Sequence, residues 1–277
     1  MANILVTGGT GALGREVVAR LLMHRHQVRI LTHQESEAVP EGVEVTSGDL
    51  ATGAGLEGAL AGVSIVLHLA TRSQQALAVD VGGTRNLLAA AAAAAAATAA
   101  APASGSPSAP PHFIYISIVG VDRSNMPYYV AKDAAEALIE ASGLPWSILR
   151  ATQFHGFIAS ILRSLGLETQ PEVAVPAGVR VQSIDAGEVA ERLVALAELG
   201  PLAHVAQMGG PQILDLETMA TTYLKIRGHG MTARVRAEPL HTPMFDAWRN
   251  GTNLAPEHAF GAITWEQYLG GTQTPMI

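Results

Sequence analysis

"NILVTGGTGALGREVVARLL", residues 3–22, decides the fold. Residues 3–8 form an apolar, β-branched run, which reads as a buried strand. Gly8, Gly11 and Gly14 follow at intervals of three. Beyond them Leu13, Val17, Val18, Leu21 and Leu22 recur with helical spacing over residues 12–26. In a strand–turn–helix unit each glycine has a task. The first allows the tight turn, the second lets backbone approach a pyrophosphate, and the third lets helix and strand pack closely. The helix start adds free N–H groups and the positive end of its dipole, which favour a phosphate. Gly8, Thr10, Gly11, Ala12, Leu13 and Gly14 are therefore the candidate cradle for a dinucleotide. There is no G-x-x-x-x-G-K-[ST], so a triphosphate loop is not expected.

Working outward, strand-like and helical stretches alternate. Strands are expected at 27–33, 42–50, 64–70, 112–120 and 145–151. Helices are expected at 55–62, from Val81 onward, and at 127–143, where Pro127 and Gly143 sit as helix ends prefer. This alternation predicts an α/β fold: a Rossmann-type, doubly wound parallel sheet over residues 1–151. Residues 152–277, with helices at 185–199 and 214–228 and a short piece at 264–269, read as a smaller C-terminal substrate-binding region. Asp185 and Glu188 read as a capping box. A low-complexity insert at about 91–111, ending in "PASGSPSAPP", is expected at the sheet edge opposite the ligand.

Composition narrows the classes. The 277 residues suit one large α/β domain with an appendage. A net charge of −7 argues against nucleic acid as a partner. With no cysteine, disulfides, thiolate metal sites and cysteine nucleophiles are excluded. No His/Asp/Glu spacing resembles a metal site, and His24 and His26 read as solvated groups on different faces of their helix. The alanine tract at 89–101 reads as helix and loop, with no membrane partner expected. No secretory signal is visible, so the expected location is cytoplasmic, as a monomer or homodimer.

The end of the second strand bears on cofactor choice. An acid there would bond the adenosine ribose and select NAD. Thr32, His33 and Gln34 stand there instead, with Glu35 one step late, and Arg15 is near in sequence. Thr32, His33 and Arg15 can cradle a 2′-phosphate, which favours NADP(H) over NAD(H). Asp49 can accept from an adenine amino group, or serve as a turn aspartate. Leu50, Leu69, Ala70, Thr71 and Thr152, at other strand ends, complete the expected cofactor lining.

Chemistry is expected from Ser117, Tyr128 and Lys132. Tyr128 and Lys132 lie four residues apart, one helical turn, on the same face. The chain has 15 arginines and only two lysines, Lys132 and Lys225, so a lysine at this place is a departure from its own habit. A compact ammonium can bond ribose hydroxyls and lower a nearby phenol's pKa, which a planar guanidinium does poorly. Ser117, at the end of the fifth strand, would hold a carbonyl while Tyr128 supplies the proton. "RATQFHGFIASIL", residues 150–162, supplies Gln153, Phe154, His155 and Phe157 as candidate substrate-binding residues of a mainly apolar pocket.

Taken in order, "TGGTGALG", "GDL", "HLA", "GGTRNLL", "YISIVG", "PYYVAK" and "LRATQFH" resemble the short-chain dehydrogenase/reductase superfamily in its atypical NmrA-like branch. The resemblance implies NADP(H) on Gly8, Gly11 and Gly14, and the roles argued above for Ser117, Tyr128 and Lys132. Two positions depart from it. His33 stands where many relatives carry Arg, and Asp80 stands where extended members often carry Asn. The expected activity is NAD(P)H-dependent reduction of a small, mainly apolar carbonyl or quinone-like compound. Alternatives are a non-catalytic NADP(H)-sensing regulator and an isomerase or lyase on the same scaffold.

Overall fold

The structure is a computed structural model describing residues 1–33, 39–100, 109–228 and 233–271. The readings placed on Gln34 and Glu35, and on the heart of the low-complexity insert, lie outside the described residues. In chain order the elements are β1 (Asn3–Thr7), α1 (Ala12–Met23), β2 (Gln27–Thr32), β3 (Val43–Ser47), α2 (Leu56–Leu60), β4 (Ile65–His68), α3 (Gly83–Ala100), β5 (His112–Ile118), α4 (Pro127–Glu140) and β6 (Trp146–Ala151). There follow α5 (His155–Ser164), β7 (Glu172–Pro176), β8 (Arg180–Val181), α6 (Ala186–Leu199), β9 (Val205–Met208), β10 (Leu214–Asp215), α7 (Leu216–Arg227), β11 (Arg234–Glu238), α8 (Pro243–Arg249) and α9 (Trp265–Leu269).

Seven strands form one sheet in the order β3-β2-β1-β4-β5-β6-β9. The β1–β2, β1–β4, β2–β3 and β4–β5 pairs are parallel. The order reverses between β1 and β4, the switch point at which such sheets bind ligands beyond their carboxyl ends. β1 is buried on both faces: Ile4, Leu5 and Val6 are each no more than 1% exposed, which is why it reads as a continuous apolar run. Leu5, Val66, Leu87, Phe113, Tyr115 and Ile148 belong to the core beside it. Burying each such aliphatic or aromatic side chain contributes about 1.5–3 kcal/mol.

The chain divides into two compact units. The first holds residues 1–117, 127–149 and 190–206; the second holds 118–126, 150–189 and 207–277. The sequence suggested one break, after residue 151. The units interleave along the chain instead because part of α6 and the start of β9 belong with the first, a return that no apolar periodicity announces. The second unit has its own core of Phe245, Trp248, Trp265, Met219 and Tyr223. Within it β7 pairs in parallel with β11, and β8 pairs antiparallel with β10.

Two local expectations are corrected and one is met. α1 stops at Met23, and Arg25 takes the left-handed conformation with φ 61°. The turn brings the His24 and His26 rings nearly parallel, 6.5 Å apart, onto Glu198 Oε1, at 2.9 and 3.3 Å. They are partners of one carboxylate rather than solvated groups on opposite faces. Asp185 does cap α6, accepting from the Gly187 and Glu188 N–H groups. The Asp185 backbone N–H in turn bonds the Glu188 carboxylate, as a capping box requires, and Glu188 Oε1 also accepts from the N–H groups of Ala262 and Ile263. Finally, the long helix expected from Val81 is preceded by a π-helical turn, Leu77–Gly82.

Candidate functional site

The first unit carries the glycine turn. Gly8 has φ +71°, and a Cβ there would lie 2.7 Å from the Ala70 nitrogen. A Cβ on Gly14 would lie 2.1 Å from the Gly8 carbonyl oxygen. The turn is thus packed against the end of β4 and against its own helix, and only hydrogen fits at either position. Gly11 is the N-cap of α1 and offers no side-chain bond to the helix start. The first-turn N–H groups of α1 are left for an anion, as a pyrophosphate cradle requires. Beside this turn a cavity of about 340 Å³ is lined by Gly9, Thr10, Arg15, Val18, Ile30, Val39 and Pro40. Arg15 Nη1 donates to the Thr10 carbonyl at 2.5 Å, which holds its guanidinium at that rim. His33 is exposed and Thr32 half-buried at the end of β2. Asp49 has both oxygens engaged in its own turn, accepting from Ala51 N–H and the Thr52 hydroxyl. Leu50 and Leu69 are buried there.

Under the turn lies a buried polar chain. Thr7 Oγ1 and His68 Nδ1 are 2.7 Å apart, and His68 Nε2 is 2.9 Å from Thr84 Oγ1. Thr84 donates its proton to the Asp80 carbonyl in a short bond. That hydroxyl can then only accept from the ring, so Nε2 carries the hydrogen and Nδ1 accepts from Thr7. Burial, with the charge of Lys132 adding to it, lowers the His68 pKa to about 3, so the ring is neutral.

Asp80, in the π-helical turn, is fully buried. Its Oδ1 accepts from the Thr71 hydroxyl at 2.7 Å, and its Oδ2 accepts from the Arg72 N–H at 3.2 Å. Thr71 Oγ1 is 2.8 Å from the Tyr128 hydroxyl. Lys132 Nζ donates to the Ile116 carbonyl at 2.7 Å, lies 3.8 Å from Asp80 Oδ1, and stands 4.0 Å from the centre of the Tyr115 ring. Burial lowers the Lys132 pKa to about 8, against the opposing pull of Asp80 and Glu136. The phenol of Tyr128 moves the other way. Burial raises it to about 12, the Thr71 hydroxyl works against the rise, and the negative charge of Asp80 adds to it. The expectation that Lys132 keeps this phenol acidic is therefore corrected: the ammonium is spent on Ile116, Asp80 and the Tyr115 face.

Ser117, next to Ile116 on β5, is 2% exposed, and its hydroxyl has no hydrogen-bond partner among the described residues. An orphaned buried hydroxyl costs about 1–3 kcal/mol, which a bound carbonyl or hydroxyl would recover. The glycine cradle shows that the residues present fit a dinucleotide.

The remaining candidates lie in the second unit. Thr152 is buried, and its hydroxyl has no partner among the described residues. Gln153 is buried and Phe154 opens α5, with a parallel bridge to Ile184. His155 is a correction. Its Nδ1 is 2.8 Å from Ser183 Oγ and its Nε2 is 3.0 Å from the Ile263 carbonyl, and its ring lies 5.1 Å from that of Tyr268. It is 1% exposed with both nitrogens engaged, so it packs the unit and presents nothing to a substrate. Phe157 is 46% exposed.

Sequence reasoning passed over His68, Thr84 and Tyr115, and saw Asp80 only as a departure. The spacing Asp80-x-x-x-Thr84 was the available signal, since residues four apart meet on a helical face.

The sheet order, the hydrogen-only turn and the uncapped first turn of α1 define a dinucleotide-binding α/β protein. A family model described as NAD(P)H-binding matches residues 8–198, and the chain belongs to that family. The resemblance to the short-chain dehydrogenase/reductase superfamily agrees with it. The chain is 27% identical to photosystem II assembly factor Ycf39 of Trieres chinensis, over 94% of this chain and 81% of that protein. It is 28% identical to (4-alkanoyl-5-oxo-2,5-dihydrofuran-3-yl)methyl phosphate reductase of Streptomyces griseus subsp. griseus, over 81% and 74%. In fold it is similar to the NADPH-dependent quinone oxidoreductase QOR2 of Escherichia coli, solved with NADPH. That TM-score is 0.78 at 18% identity, covering 97% of this chain and 99% of that one.

Proposed function

We propose that the chain is an NAD(P)H-dependent oxidoreductase that reduces a small, mainly apolar carbonyl or quinone-like compound. The observation that carries the reading is the orphaned Ser117 hydroxyl on the same unit as Tyr128, Lys132 and the glycine cradle. Gly8, Thr10, Gly11, Ala12, Leu13 and Gly14 would hold the pyrophosphate. Arg15, Thr32 and His33 would meet the adenosine end, where Arg15 at the cavity rim favours a 2′-phosphate and hence NADP(H). Leu50, Leu69, Ala70 and Thr71 would line the remainder. Asp49, with both oxygens engaged, is read as a turn residue. When bound, the cofactor supplies a hydride. Ser117 orients the substrate oxygen by donating to it, and Tyr128 gives that oxygen a proton. Lys132 holds the end of β5 through the Ile116 carbonyl and balances Asp80. Gln153 and Phe154 are proposed as substrate-contacting residues. The likeness to a named reductase supports this class.

The likeness to an assembly factor over 94% of the chain favours a second reading, a cofactor-binding protein that does not turn over. Tyr128→Phe separates the two. Under the first, turnover in a carbonyl and quinone panel falls by about 10²-fold or more while NADPH affinity, followed by its fluorescence, stays within about twofold. Turnover that survives the change removes Tyr128 from the chemistry. A wild-type protein that binds NADPH and reduces nothing in the panel favours the second.

A further inference from the structure

The direction in which the Tyr128 phenol donates follows from a count of protons. Asp80 faces the Lys132 ammonium at 3.8 Å and accepts from the Arg72 N–H, so it is a carboxylate and can only accept. Thr71 has one hydroxyl proton and donates it to Asp80 at 2.7 Å. In the 2.8 Å contact between Thr71 and Tyr128, Thr71 is left only to accept, so the phenol donates. We propose that Asp80 is a positioning residue: by taking the proton of Thr71 it makes Thr71 the acceptor for Tyr128, so that the phenol waits in the site as an acid and not as a base.

This role rests on the reductase reading for its use, though not for its geometry. In the proton transfer the Tyr128 proton would leave its hydrogen bond to Thr71, the Tyr128 O–H bond would break and an O–H bond would form on the substrate's oxygen, made negative by the hydride that a bound cofactor would supply. The Thr71 hydroxyl then turns from Asp80 to the new phenolate, and Asp80 keeps the Arg72 N–H and the Lys132 charge. The same hydroxyl thus accepts before transfer and donates after it. The titratable groups facing this set are Lys132, Glu136 and Tyr129 from α4, Tyr115 from β5 and His68 from β4. The hydrogen bonds of the Thr71 hydroxyl among the described residues run to Asp80 and Tyr128, so the polarity of the second is set by Asp80.

Asp80→Asn tests it. The amide N–H can donate to Thr71, which frees the threonine proton for Tyr128 and reverses the bond. The readout is the titration of the Tyr128 ring-carbon NMR signal in tyrosine-labelled protein, assigned by its loss in Tyr128→Phe. Circular dichroism shows the pH range over which each variant stays folded. The phenol in Asp80→Asn is expected to titrate lower by about one pH unit or more, tenfold more phenolate at a given pH. The shift should persist in a Thr71→Ser background and shrink in Thr71→Val. An unmoved titration overturns the proposal, and so does a shift of equal size in Thr71→Val, which would make Asp80 a mere field. Should Asp80→Asn not fold, the Tyr128 hydroxyl-proton resonance decides. It is expected to be sheltered from exchange in wild type and Thr71→Ser and lost in Thr71→Val; its survival in Thr71→Val overturns the assignment. A protein that shows these shifts and reduces no substrate supports the bond assignment and sinks only the reductase reading.

Discussion

Lys132 carries a buried ammonium. The structure turns it to the Ile116 carbonyl and Asp80, with side-chain exposure of 3% and 0% for the ion pair. Replacing Lys132 by Met would leave Asp80 charged, buried and unpaired. Breaking such a pair from one side costs about 3–5 kcal/mol. Urea unfolding of Lys132→Met should show a loss of that order, and a change within about 0.5 kcal/mol would mean that the pair is solvated. The pairing was illegible because Asp80 lies 52 residues away, on an element whose turn departs from α geometry. His155 failed for the opposite reason. Its neighbours in sequence looked like a pocket wall, whereas Ser183 and Ile263, which claim both ring nitrogens, are remote in the chain.

Among the elements, β1 and α1 were read nearly to their ends, because continuous apolar burial and a helical stripe are local signals. The π-helical turn was not, since one inserted residue leaves no trace in periodicity. Its effect is to present Asp80 to Thr71 while its carbonyl meets Thr84, which in turn fixes His68 on β4. That arrangement has a pH signature. The folded His68 pKa is about 3 against about 6.5 unfolded. The unfolded chain therefore binds the proton first, and stability falls as pH drops below about 6.5 towards 3, by about 1.4 kcal/mol per pH unit for this one group. Gln at position 68 can accept from Thr7 and donate to Thr84 without titrating. In urea titrations between about pH 6.5 and 4, His68→Gln should lose stability less steeply than wild type by about that slope; parallel slopes would count against a neutral buried ring.

For the whole molecule, the doubly wound parallel sheet and the dinucleotide class were legible from alternation and the glycine turn. The division into units was not, because the packing that joins residues 190–206 to the first unit is long-range. The cofactor supplies a molecule-wide measurement. A ligand that binds only the folded chain at about 100 times its Kd stabilises it by about 2.7 kcal/mol, or roughly 5–10 °C in Tm at this size. NADPH at equal concentration should raise Tm more than NADH if Arg15 meets a 2′-phosphate. Equal or larger shifts with NADH would reverse the cofactor preference.

The interleaving of the two units also governs how this chain can be cut. A fragment ending after residue 151 would retain the glycine turn and six strands yet lack β9, so β6 would become a bare margin of the sheet. Unpaired strand margins recruit other chains. A shortened version made for crystallisation or display therefore has to carry residues 190–208 with it, by splicing rather than truncation.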